Sequence, residues 1–282
     1  NLASKAAFSL LQADFYLWMA KVRGGGDAAL NLAKQAIDAV VNNSNYTLMT
    51  DFSNVFSNKL NQEIVFAWSY VMDEYTGGYP EDHLVPLQYI SAQYVENPIK
   101  VGSHQQWIFL TDEYKNFLSE NVDDQRTNVS FETFFDAPKD ATFQWINKYA
   151  GSWQNQTRVF DADIVVYRYA DALLMSAEIE NALGNSLLAV ERLNAVAERA
   201  YGVTGFYSNG LPTQQVDRAI LDERKKEFVS EGKIWWDLIR FGVVFDEVPS
   251  LAGRENEQNI LLWPVHNTSI NTNPNIKQTP GY

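Results

Sequence analysis

With 282 residues, 46% of them apolar and 13% aromatic, the chain can form one large domain or two small ones around a sizeable core. Its formal net charge of −13 argues against nucleic acid and anionic membrane surfaces, both of which call for cationic patches. The absence of cysteine removes disulfides and thiolate metal sites, and no apolar run reaches the ~18 residues of a spanning helix.

Residues 3–23 read as a helix whose inward face is Ala7, Leu11, Phe15, Trp18 and Val22. Gly24, Gly25 and Gly26 break it, and Asp27 is placed to cap a second helix with Leu30, Ala33, Ile37 and Val40 inward. A second helical hairpin is predicted at about 164–200. Ala170, Leu173, Leu174 and Ala177 face inward on its first helix, Gly184-Asn185 forms the turn, and Leu187, Val190, Asn194 and Ala197 follow. Small residues at the helix contacts give both units a tetratricopeptide-like character.

Between them, about 46–163, the chain is rich in aromatic and turn-forming residues, with little helical periodicity. Short strands are predicted at 63–70 and 106–110, because bare loops of this length are uncommon. Closing helices follow at 213–242, and the Asn- and Pro-rich tail, 249–282, is expected to be extended.

The closing helices carry the most informative pattern. Val216, Ile220, Arg224, Glu227 and Glu231 fall on one helical stripe, with Leu221 and Phe228 beside it. Unpaired buried charge is costly, so these charged groups are expected to form an internal ion network, with Arg168, Arg199, Asp237 or Arg240 as partners. Lys225 and Lys226 are expected to point to solvent.

Arg224, Glu227-Phe228, Glu231-Gly232 and Trp236-Asp237-Leu238-x-Arg240-x-Gly242 together resemble the C-terminal signature of the SusD/RagB family of outer-membrane nutrient-binding lipoproteins. Leu261-Leu262-Trp263-Pro264, Asn273-Pro274-Asn275 and Gln278-Thr279-Pro280-Gly281-Tyr282 are similar to its closing pattern, with Trp263 and Thr279 departing from it. Val165 to Ala177, followed by Glu178 and by Leu193-Asn194, is a third match in order. Asp123-Asp124-Gln125-Arg126 resembles a structural Asp-x-Arg turn of the family.

The resemblance implies a mainly α, SusD-like fold: tetratricopeptide-like hairpins carrying a loop-rich insertion with short strands, all in one domain, 1–282. It implies that the chain is the C-terminal portion of a longer protein, anchored at the outer-membrane surface through a lipid on an N-terminal cysteine absent from this chain. It implies a SusC-like TonB-dependent transporter as partner and a ligand site in loops following Glu63-Ile64-Val65-Phe66 together with loops nearer the missing N-terminus.

Sugar rings stack on aromatic faces while their hydroxyls seek planar polar groups. The candidate ligand residues are therefore Tyr75, Tyr79, Trp107, Trp145, Tyr149 and Trp153, with Gln154 and Asn155. The competing reading of each ring is a satellite core beneath the loops.

Acid pairs that could act as a glycosidase dyad (Asp73-Glu74, Asp123-Asp124, Asp161 with Asp163) are expected by chance among 35 acids. His83, His104 and His266 lack metal-ligand spacing. The expectation is non-catalytic binding of a glycan or other nutrient, without cofactor or metal. The alternatives are a tetratricopeptide-type interaction scaffold and, less favoured, a glycoside hydrolase.

Overall fold

The protein, seen in a computed structural model, is described at residues 4–72, 74, 78–86, 89–91, 105–154 and 157–282. It divides into two units, Asn1–Ile234 and Trp235–Tyr282.

In the first unit α1 (Lys5–Val22) is capped by the Ser4 hydroxyl, which accepts from the Ala7 N–H at 3.1 Å. The turn to α2 (Gly26–Val41) is tight. A Cβ on Gly25 would stand 2.9 Å from that of Ala29 and 3.0 Å from the Met19 carbonyl oxygen, so only glycine fits. The inward face of α2 is the expected one.

The inward face of α1 is so only in part: Ala7 is buried as expected. Ala6, Leu10, Ala13, Leu17 and Ala20 are buried, while Leu11 and Phe15 are each 55% exposed and Phe8 stands out beside them. The helix carries two apolar stripes, and the alanine-rich one faces α2 because small side chains let the two axes approach.

Next come α3 (Ser53–Ser57) and β1 (Ile64–Trp68), then a 3-10 turn at Tyr79–His83. α4 (Asp112–Leu118), α5 (Thr127–Ser130), β2 (Phe131–Asp136), β3 (Ala141–Ile146), β4 (Ser152–Gln154), β5 (Thr157–Val159) and β6 (Ile164–Arg168) follow. The strands form three antiparallel two-stranded ribbons, β1–β6, β2–β3 and β4–β5. Ribbons this small lack an independent core and depend on the helices and on one another.

The second hairpin begins with strand β6 before turning into α6 (Tyr169–Ala182), then α7 (Ser186–Tyr201). α6 packs on α2, α7 and α8 (Thr213–Glu227), and its Ala170, Leu173, Leu174 and Ala177 are buried. Lys21 of α1 and Lys34 of α2 reach Glu178 and Glu180 of α6, so charge as well as apolar contact ties the hairpins together.

The stretch 106–110 is not a strand. The Trp107 and Ile108 N–H groups donate to the Asp82 carbonyl, at 2.9 and 3.0 Å, instead of entering a ladder. α9 (Ile234–Arg240) opens at the unit boundary, and in the second unit Arg240 pairs with Asp237 at 2.8 Å. That unit also contains α10 (Val244–Glu247) and α11 (Asn267–Thr272), so the tail is not wholly extended: the His266 side chain accepts from the Thr268 N–H at 3.2 Å and starts a short helix.

Candidate functional site: an aromatic surface over an ion-locked core

Arg168 ends β6 with its side chain fully buried. It donates to Glu63 Oε1 at 2.7 Å, to Glu227 Oε1 at 2.5 Å and to the Glu227 main-chain oxygen at 2.8 Å. It also grips both oxygens of Glu231, at 3.0 and 2.9 Å, so all five guanidinium N–H groups are used.

Arg126 is held bidentately by Asp124, at 2.8 and 2.7 Å, and reaches Glu223 at 2.6 Å and Glu227 at 3.2 Å. Arg199 pairs with Glu227 and, at 3.4 Å, with Glu63. Lys148 donates to Glu231 and to the Glu227 carbonyl, both at 2.7 Å. Five carboxylates (Glu63, Asp124, Glu223, Glu227, Glu231) thus face four cations, the near-neutral pairing that buried charge requires, with Arg199 Nε the one guanidinium nitrogen of the three arginines left without a partner among the described residues.

Burial alone would raise Glu227, but the charges of Arg199, Arg168 and Arg126 outweigh it and hold the carboxylate well below its usual range. Burial likewise opposes ionisation of Glu231, and Arg168 and Lys148 override it. Burial brings Lys148 down to about 8, with Glu231 pulling the other way.

The expected network therefore contains Glu227 and Glu231, with Arg168 and Arg199 as partners. Arg224 is buried too, but its guanidinium lies over the Phe228 ring, 4.8 Å from the centroid, and 3.9 Å from Asp171. Asp171 also takes Lys233 at 3.1 Å.

Two details differ from the helical projection. α8 stops at Glu227, and Glu231 is brought inward by a turn in which Ser230 has φ +60°. Lys225 and Lys226 are buried: the former sits over the Phe117 ring at 4.7 Å, and the latter reaches Glu120 at 2.5 Å and the Tyr201 hydroxyl at 3.3 Å. Long stems with a charged tip can cover apolar surface in this way.

The sequence analysis missed Glu63, Glu223 and Lys148 as members of this network. Glu63, opening an apolar strand, carries the same signal of charge in an apolar run that identified the closing helices.

Above this core, the structure separates the candidate ligand residues. Trp145 is only 1% exposed, packed with Leu84, Val85 and Ile90. Tyr149 is buried, edge-on to Phe56 at 5.7 Å and to Tyr79 at 5.6 Å. Both are core residues that support the surface from below.

Tyr79 is 38% exposed. Its ring rests on Tyr149, and its hydroxyl donates to the Ser230 carbonyl at 2.7 Å. His83 lies beneath: Nδ1 meets the Tyr79 carbonyl at 3.0 Å and Nε2 meets the Ser230 hydroxyl at 2.7 Å. This geometry is satisfied by a neutral ring with the proton on Nδ1, and burial pushes His83 below its usual value.

Trp107 is 69% exposed. A pair of glutamines fixes its segment: Gln106 donates to the His83 and Gln144 carbonyls, at 3.0 and 2.9 Å, while Gln144 donates to the Leu110 carbonyl at 3.0 Å. The indole thus projects from a clamped backbone beside the Tyr79 turn, with Phe109 exposed two residues on. Trp153 and exposed Gln154 lie in β4, and Tyr75 and Asn155 fall outside the described residues.

Of the acid pairs, Asp73 lies outside the described residues, Asp124 holds Arg126, and Asp161 and Asp163 serve the local backbone. Asp161 accepts from the Ser152 N–H and hydroxyl, and Asp163 from the Ser69 hydroxyl and the Tyr70 N–H. Among the described residues no cluster of three or more histidine or acidic side chains is arranged to hold a metal ion.

Comparison with known proteins agrees with this architecture. SusD-like protein P38 of Formosa agariphila is 30% identical over 129 residues, which is 43% of this chain and 25% of that protein. A solved SusD superfamily protein from Bacteroides fragilis matches with a TM-score of 0.80 and 28% identity, over 99% of this chain and 65% of that one. Surface glycan-binding protein A from Bacteroides thetaiotaomicron shares the fold (TM-score 0.74, 20% identity) over 99% of this chain and 64% of its own. The chain therefore spans a quarter of that curated relative and slightly under two thirds of the solved ones. The SusD family model matches residues 59–261, taking in most of the insertion, the ion network and the closing helices, and the chain belongs to the SusD family.

Proposed function

We propose that the protein captures a glycan or another nutrient without chemical turnover, using the surface formed by Trp107 and Tyr79. The observation that carries this reading is the exposed indole of Trp107 on a backbone clamped by Gln106 and Gln144, beside a tyrosine fixed from beneath. A large apolar face carried on a fixed backbone leaves less of the chain to be ordered on stacking against a sugar ring.

Family membership supports the wider proposal: an outer-membrane surface location, attachment through a lipid, and delivery to a TonB-dependent transporter. The helical hairpins suit the transporter contact, since Phe8, Leu11 and Phe15 stand exposed along α1.

Affinity electrophoresis in gels containing starch, plant or host polysaccharides tests the central claim. Retardation in at least one of them, lost in Trp107→Ala and unaccompanied by new reducing ends, is expected. Unretarded migration in all of them, or release of reducing ends, refutes it.

A further inference from the structure

The sequence contains one asparagine followed by glycine, Asn209–Gly210. Both residues are exposed in the connection between α7 and α8. Gly210 has φ +91°, and the space a Cβ would occupy is open, so no side chain shields the nitrogen that follows Asn209. No hydrogen bond holds the Asn209 side chain among the described residues.

The asparagines followed by serine or alanine are restrained. Asn43, before Ser44, accepts from the Asn45 N–H at 3.0 Å, and Asn185, before Ser186, donates to Glu180 at 2.7 Å. Asn194, before Ala195, is held on both sides by the Tyr207 backbone, each bond 2.8 Å.

We propose that Asn209 is a site of spontaneous deamidation. The Gly210 main-chain nitrogen, its proton given to solvent base, attacks Asn209 Cγ. The new N–Cγ bond closes a cyclic imide as the Cγ–Nδ2 bond breaks and ammonia leaves. Water then adds to either imide carbonyl and breaks its bond to nitrogen, giving aspartate or isoaspartate. The net change is amide plus water to acid plus ammonia, with no oxidation or reduction.

The product alters a defined surface. Asn209 lines a cleft of about 710 Å³ together with Leu187, Glu191, Asn194 and Glu198. A carboxylate at 209 joins those of Glu191 and Glu198, and isoaspartate lengthens the main chain by one methylene shortly before Pro212, the N-cap of α8.

The test is incubation of the folded protein in mildly alkaline buffer, followed by ion-exchange chromatography and fragmentation mass spectrometry that separates the two acid isomers. A more acidic species carrying both isomers at 209, formed severalfold faster than any product at Asn43, Asn185 or Asn194 and absent from Asn209→Gln, is expected. An intact Asn209 amide in the folded protein overturns the proposal, and conversion seen only in urea does so as well, because it would show that the fold protects the pair.

Discussion

The two halves of the candidate site use polar atoms in opposite ways. In the ion-locked core every charge is committed: Arg168 makes five hydrogen bonds, and Glu227 is shared by three arginines. In the aromatic surface above it, hydrogen bonds are spent on backbone and on Tyr79, and the indole of Trp107 is left exposed. On the proposed function the difference separates stability from capture, because charge taken from water must be paired whereas a stacking face must remain open. Substitutions in the two halves should therefore give opposite signatures.

The largest effect is expected at Arg168. Arg168→Met would take from Glu63, Glu227 and Glu231 the guanidinium they share and put a neutral side chain among them, and breaking a buried pair costs about 3–5 kcal/mol. Chemical denaturation should show a loss of that size. A midpoint unchanged from wild type would mean that the network is hydrated in solution.

Arg224→Ala should cost less, about 1–3 kcal/mol. Asp171 keeps Lys233 and the Arg168 main-chain N–H as partners when the guanidinium is removed. An Arg224 variant less stable than the Arg168 variant would reverse the ranking of the two positions within the core.

How much of this was legible follows the same division. The core announced itself because glutamates and an arginine occupy an apolar stripe at helical spacing, which a solvated helix has no reason to produce. Helix existence was legible for the same reason. Which α1 stripe turns inward was not, since two apolar stripes were available and the choice depends on the alanine fit to α2.

The aromatic surface was only half legible. Composition marked the insertion as aromatic, yet Trp145 and Trp107 look equivalent in sequence, and one is core while the other is surface. What separates them is the Gln106–Gln144 clamp, a contact across 38 residues that no local pattern encodes. The same clamp explains why 106–110, strand-like in composition, does not enter a ladder.

A smaller effect should appear with pH at the junction of the two halves. His83 is neutral in the fold with its value pushed below normal, so the unfolded chain takes the proton first as pH falls. Its contribution is complete above the ordinary imidazole value, about 6.5, and is lost as pH drops through the lower folded value. Glu231, held low, acts in the same direction within the carboxylate range, while Asp171, raised by burial, opposes it in part. Thermal melting should therefore weaken on mild acidification, and His83→Gln should flatten the part of that slope nearest neutrality. An identical slope in the variant would remove His83 from the account.

The smallest stability change, and the sharpest test of the division, belongs to Trp107. Its ring is mostly in water, so truncation to alanine should shift stability by no more than about 0.5 kcal/mol, the range of ordinary surface positions. Trp145→Ala, next to Gln144 of the same clamp, should cost about 3–5 kcal/mol through the cavity it leaves. Glycan retardation should vanish in the first variant while its melting curve stays in place. In the second, any loss of retardation should track the loss of fold. If Trp107→Ala melted like Trp145→Ala, the indole would be a structural support and the division between core and capture surface would fail at its most exposed residue.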